Sequence, residues 1–157
     1  MRTKEQTANL NKLANYLLAL PELYSNFTMA SYYKFQGVSD NYNLEVVRGL
    51  EFSNTVSPNN PFDFTACGTV GCAVGHGPLA GVEVLWGDIS WHSYSRRVFT
   101  KDLTEWDWCF SPDWSFTDNS PRGAGIRIKA LLAGYDIGEE EDLFDDYDRE
   151  DLAEAYL

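Results

Sequence analysis

Three cysteines and two histidines are the side chains best suited to bond-making chemistry, and three of these five fall within ten residues. The segment is Cys67-Gly68-Thr69-Val70-Gly71-Cys72-Ala73-Val74-Gly75-His76-Gly77-Pro78. Thr69 is a possible N-cap, so the spacing predicts a short helix over Val70 to Val74. On such a helix three kinds of reading are open. In the first the segment is scaffolding. Gly68, Gly71 and Gly75 let the helix approach a neighbour closely, and Cys67, Cys72 and Val74 pack as small apolar groups. In the second, Cys67, Cys72 and His76 supply thiolate, thiolate and imidazole to zinc, with Cys109 or His92 as a fourth ligand. The usual C-x2-C pairing is absent. In the third, the helix start at Gly68, Thr69 and Val70 offers free N–H groups and a positive dipole end to a phosphate or carboxylate. The same dipole end would lower the pKa of Cys67 and favour a thiolate nucleophile. His76 lies two turns further along and is too far to activate that thiol directly. Three cysteines cannot all pair, and Cys67 and Cys72 are close in sequence, which fits free thiols in a reducing cytoplasm.

Aromatic residues form the second cluster. Trp86, Trp91, Trp106, Trp108 and Trp114 fall within 29 positions, with Tyr94, Phe99 and Phe110 among them and Phe116 just beyond. They read as a dense core joining short helices, or as a cleft whose rings stack on a base or a partner side chain. Trp106 and Trp108 cannot face the same way on a helix. Trp106 shares a side with Cys109 and Phe110, so Trp108 is the expected surface residue. Arg96, Arg97, Arg122, Arg127 and Lys129 lie in the same half. Arg127 has apolar neighbours and is expected to be partly buried, in a salt bridge to the acidic tail. Gly68, Thr69, Val70, Trp108 and Arg127 together make the candidate site for a nucleotide-like ligand.

The charge map is lopsided. The chain has 157 residues and a net charge of -12. Residues 136–157 carry eleven acids and one base, Arg149, for -10, and residues 1–135 carry only -2. Leu143, Phe144, Tyr147, Leu152, Ala155, Tyr156 and Leu157 interrupt the acids, and a purely solvating tail would have few such residues. One reading is a solvated, partly helical tail whose apolar residues dock on the body. The other is an acidic arm that fills a basic site on a partner in place of phosphates, with Glu140, Glu141, Phe144, Asp145, Asp146 and Tyr147 as its contacts. The ordered spacing of a calcium loop is missing.

The elements that must position these groups are mostly helical. Thr3 and Gln6 form a possible capping box before Leu10, Leu13, Ala14, Leu17 and Leu20, and Pro21 stops the helix. Further short helices are expected over Phe27–Phe35, from Pro78 through Leu79, Val82 and Trp86, after Ser90 with Trp91, Tyr94 and Val98 on one face, and after Thr104. Ser120 with Pro121 opens the clearest later helix, Ala124, Ile128, Leu131 and Leu132 form its buried stripe, and Gly134 ends it. Asp148 caps a last helix. Residues 44–52 read as a short helix or a small strand, and 53–63 as a loop. The expected fold class is mainly α: one globular domain over 1–135 with many short helices and long loops, then an acidic segment over 136–157. Plentiful aromatic residues exclude a fully disordered chain, and 12 basic against 24 acidic residues argue against an electrostatic nucleic-acid binder. No run of about 18 apolar residues suggests a membrane span, and the N-terminus has no clean apolar region or cleavage site of a signal peptide.

The segments LANYLLALP, FTM, CGTVGCAVGHGP, WHSYSRRVF, WDWCFSPDW and DNSPRGAGIRIKALLAGY occur in this order. The chain in this respect resembles a group of small uncharacterised proteins of bacteriophages and bacteria, marked by a C-G-T-x-x-C-x-x-G-[HW] core, over about residues 10–135. The resemblance implies a phage or mobile-element setting in a bacterial cytoplasm and supplies no reaction. Similar motifs carry Trp in place of His76, which implies no chemistry that requires the imidazole. The resulting expectation is an accessory protein without a cofactor that binds and inhibits a host defence protein. The alternatives are a sponge or degrader of a nucleotide-like signalling molecule, and a cysteine- or zinc-dependent enzyme.

Overall fold

The first amphipathic series forms α1 (Lys4–Ala19). Its capping box is made as the sequence requires: the Gln6 N–H donates to Thr3 Oγ1 at 3.0 Å, and the Thr3 N–H to Gln6 Oε1 at 2.9 Å. Leu10, Leu13, Ala14 and Leu17 are buried. Leu20 turns extended (φ -76°, ψ 149°), as the residue before a proline must. The computed structural model describes residues 1–24, 27–29, 33–35, 69–85, 87–88, 91–138, 144–145 and 147–157. Among these the protein is mainly α, with six helices and one antiparallel pair of three-residue strands.

The strands are β1 (Tyr33–Phe35) and β2 (Thr69–Gly71), with Tyr33 opposite Gly71 and Phe35 opposite Thr69. Two expected helices are thereby corrected. Residues 33–35 are extended, and Thr28, near the start of the expected helix, accepts a hydrogen bond from Asn119 Nδ2 at 3.5 Å. Thr69 and Val70 are β-branched and flanked by glycines, and pair as a strand where a helix was expected. The chain then winds through turns over 73–81, closed by bonds such as Gly77 N–H to the Val74 carbonyl at 2.9 Å. Gly81 takes φ +89°, so the helix expected from Pro78 does not form. The expected elements at 44–52 and 53–63 lie outside the described residues.

The later helices follow the caps. They are α2 (Trp91–Val98), α3 (Leu103–Phe110), α4 (Trp114–Thr117), α5 (Pro121–Leu132) and α6 (Arg149–Tyr156). Asp102, two residues before the expected Thr104, caps α3 through the Glu105 N–H at 3.0 Å. Ser120 caps α5 with Pro121 in the first turn, and Gly134 follows at φ +89°. Helix α5 lies along α1. A Cβ at Gly125 would stand 2.7 Å from Leu18 Cγ and 3.3 Å from the Ala14 carbonyl oxygen, so the glycine permits this approach. Gln6 Nε2 and Asn9 Nδ2 donate to the carbonyls of Arg96, Arg97 and Val98, and so tie α1 to the C-terminal end of α2. No helix among the described residues is long and apolar enough to cross a membrane.

Candidate functional site

The acidic segment and the aromatic cluster meet at Asp118. This residue ends the short helix α4 and stands two residues before the Ser120 cap. Its Oδ1 accepts from Ser120 Oγ at 2.8 Å, and its Oδ2 accepts from the Tyr147 hydroxyl at 2.7 Å. Arg149 Nη1 lies 3.5 Å from Oδ1, and Arg127 Nη1 lies 3.9 Å from Oδ2. A Cβ at position 123 would collide with this carboxylate, so Gly123 makes room for it over the first turn of α5, where the helix dipole favours a negative charge. Arg149 also pairs with Glu22 at 2.6 Å, which ties the start of α6 to the turn after α1. Asn119 anchors the same loop, its Oδ1 accepting from the Met29 N–H at 2.6 Å.

Beneath Asp118 sits Arg127, which has no exposed surface. Its guanidinium lies 4.2 Å from the centroid of the Trp114 ring and 5.8 Å from that of Tyr147. Its Nε and Nη2 have no hydrogen-bond partner among the described residues, so aromatic faces and Asp118 together carry the charge. Burial pulls its pKa down from the ordinary arginine value, against the pull of Tyr147 and Asp118. Burial likewise pushes the Tyr147 phenol up. Where a salt bridge from Arg127 to the tail is expected, the pairing seen among the described residues is with Asp118 in the body, and the tail contributes a ring.

Trp108 is a second correction. It is 2% exposed, and its Nε1 donates to the Arg127 carbonyl at 2.9 Å. The geometric premise holds: Trp106 faces α2, with Nε1 donating to Ser95 Oγ at 2.7 Å, and Trp108 faces the other way. That other face is covered. Tyr135 and Tyr147 lie 5.5 and 6.0 Å from the Trp108 ring, and Phe144 and Tyr147 each lie 4.6 Å from Trp114. Leu152 is buried, and Tyr156 packs on Tyr135 at 5.7 Å. Of the expected partner contacts, Phe144 and Tyr147 therefore turn onto the body, and Asp145 stands exposed. Glu140, Glu141 and Asp146 lie outside the described residues. The structure thus joins Trp108, Arg127, Phe144 and Tyr147 in one closed cluster.

The thiol segment is enclosed. Cys72, His76 and Cys109 are all buried. The rings of Tyr16, Tyr24 and Phe27 surround the His76 imidazole at 6.2, 6.1 and 5.5 Å. His76 Nδ1 lies 2.8 Å from the Cys72 carbonyl, an acceptor, so Nδ1 carries the proton. Burial pushes the thiols of Cys72 and Cys109 up to about 11 and about 12, and brings the imidazole down to about 4. Thiols held protonated this far above neutrality are poor nucleophiles. Among the described residues, no three His, Cys, Asp or Glu side chains gather as a metal ion would require. Cys67 and Gly68 lie outside the described residues. Thr69 and Val70 belong to β2, so the expected helix start for an anion is not formed.

Sequence reasoning did not single out Asp118, Asn119 or Glu22. The local signal there is the Asp-Asn-Ser-Pro run, which specifies the cap of α5 and not the pairings of Asp118. Asp118 and Asn119 shape, with the C-terminal segment, a surface groove of about 440 Å³ lined by Thr117, Asp118, Asn119, Tyr147, Asp148 and Arg149. No protein-family model matches the chain, and no curated protein or solved structure matches it.

Proposed function

We propose that the protein acts by binding a basic surface of a host protein and blocking it, with the C-terminal segment as the contact. The observation that carries this reading is how the segment divides its side chains. Phe144, Tyr147 and Leu152 anchor it to the body, while Asp145, Asp148, Glu150, Asp151 and Glu154 are exposed. Helix α6 therefore holds acids in a set array, and Asp148 caps it through the Glu150 and Asp151 N–H groups at 2.9 and 3.2 Å. An ordered polyanion steers a basic partner and loses less conformational entropy on binding than a free tail. The resemblance to small phage and bacterial proteins supports a setting inside an infected bacterium, with a defence protein as the target.

The test neutralises charge and leaves the anchors alone. The variant Glu150→Gln/Asp151→Asn/Glu154→Gln and the parent chain are each immobilised and exposed to extract of the bacterial host. The parent is expected to retain a defined host protein that elutes as salt rises, and the variant to lose it. Equal retention by both chains would refute an electrostatic contact through α6.

A further inference from the structure

Helix α4 sends one aromatic inward and the next outward. Trp114 is fully buried, whereas Phe116 is 91% exposed. Phe116 directly precedes Thr117 on the wall of the groove between Thr117–Asn119 and Tyr147–Arg149. Leu23, 94% exposed, follows Glu22, whose carboxylate holds Arg149 on the opposite wall. A lone exposed leucine is ordinary. An exposed aromatic residue next in the chain to a groove wall offers what an interface anchor offers, a large apolar contact beside polar groups.

The charge around the groove selects the occupant. Asp118 and Asp148 line it, and Glu22 and Glu150 pair with Arg149 on its wall, so four acids stand against one base. Arg149 already faces three carboxylates, so an anion meets net repulsion. Asp148 is exposed, and its capping bonds use Oδ1. A small cation would use the acids and leave Phe116 idle.

We propose that this groove is the docking site for a basic amphipathic segment of the partner protein, which lays an apolar side chain on Phe116 and a lysine or arginine against Asp148. This deepens the binding reading above and rests on it.

The experiment uses the full chain, a fluorescent amphipathic helical peptide of leucine and lysine, and its leucine–glutamate counterpart. The leucine–lysine peptide is expected to bind and to shift the amide resonances of Thr117, Asn119 and Arg149, while the glutamate peptide does not. Phe116→Ala, at a position that supports no core, is expected to keep the parent's melting temperature and to weaken binding about tenfold. Asp148→Asn keeps a competent cap and is expected to weaken it about threefold. Unchanged affinity in Phe116→Ala, with shifts confined to α6, would overturn the groove and leave the acidic contact standing. A dimer in sedimentation that Phe116→Ala dissociates would assign the site to a second copy and overturn the proposal. Failure of the leucine–lysine peptide together with equal retention in the host-extract experiment would overturn both readings.

Discussion

Acid titration of His76 tests the scaffolding role of the thiol segment. The imidazole has no exposed surface and is packed by Tyr16, Tyr24 and Phe27, with its Nδ1–H on the Cys72 carbonyl. Burial brings its pKa from 6.5 to about 4, although the hydrogen bond to Cys72 opposes the shift. The unfolded chain therefore takes up this proton more readily than the folded one. The stabilisation is complete above about pH 6.5 and is lost as pH falls through the window down to about 4. Linkage gives a loss of about 2 kcal/mol by pH 5 and about 3 kcal/mol by pH 4. That is a large share of the roughly 5–15 kcal/mol typical of a domain. The carboxylates of this acidic chain titrate over the same range, so the measurement is a difference. His76→Phe keeps the ring contacts and removes the proton site. The Cys72 carbonyl still accepts the backbone N–H of residue 76 at 3.0 Å. The variant is expected to lose about 1 kcal/mol at pH 7 through the missing side-chain bond. Urea unfolding followed by tryptophan fluorescence between pH 7 and 4 should show the parent falling about 3 kcal/mol further than the variant. Parallel curves would refute the enclosed neutral imidazole, and with it the assignment of this segment to the core.

Four further outcomes follow from the packing. Tyr147→Phe keeps the ring on Trp114 and Arg127 but removes the bond to Asp118, and is expected to lose about 1 kcal/mol in urea unfolding. Tyr147→Ala is expected to lose about 3 kcal/mol and to make tryptophan fluorescence more accessible to acrylamide. Gly125→Ala should lower the melting temperature by about 5 °C, because its Cβ meets Leu18 and the Ala14 carbonyl on α1. In a Cys67→Ser background, Cys72 and Cys109 should not react with a thiol reagent at pH 8 until urea unfolds the chain, since burial pushes both thiols to about 11 and about 12. Rapid reaction of the folded protein would show an open thiol.

The docked tail changes what a truncation can report. Removing residues 136–157 takes away the acids, but it also strips Phe144, Tyr147 and Leu152 from the Trp108, Trp114 and Arg127 cluster. Loss of binding in such a chain would mix charge with folding. Neutral substitutions on α6 separate the two.

What was legible in the sequence is what neighbours in sequence decide. The capping box of α1, the Ser-Pro start of α5, the Asp148 cap and the buried stripes of both long helices all depend on residues a few positions apart. The mainly helical class and the docking of apolar residues within the acidic segment were readable for the same reason. Tertiary structure decided which faces are covered. Trp108 does point away from Trp106, but Tyr147 and Tyr135 close over it. The Tyr147–Asp118 bond spans 29 positions, and no local pattern encodes such a pairing. The same holds for the thiol segment: local spacing predicts a helix from Thr69, and pairing with β1 makes Thr69–Gly71 a strand. Local spacing sets how a side chain points along its own element, whereas its solvent exposure depends on distant segments that pack over it.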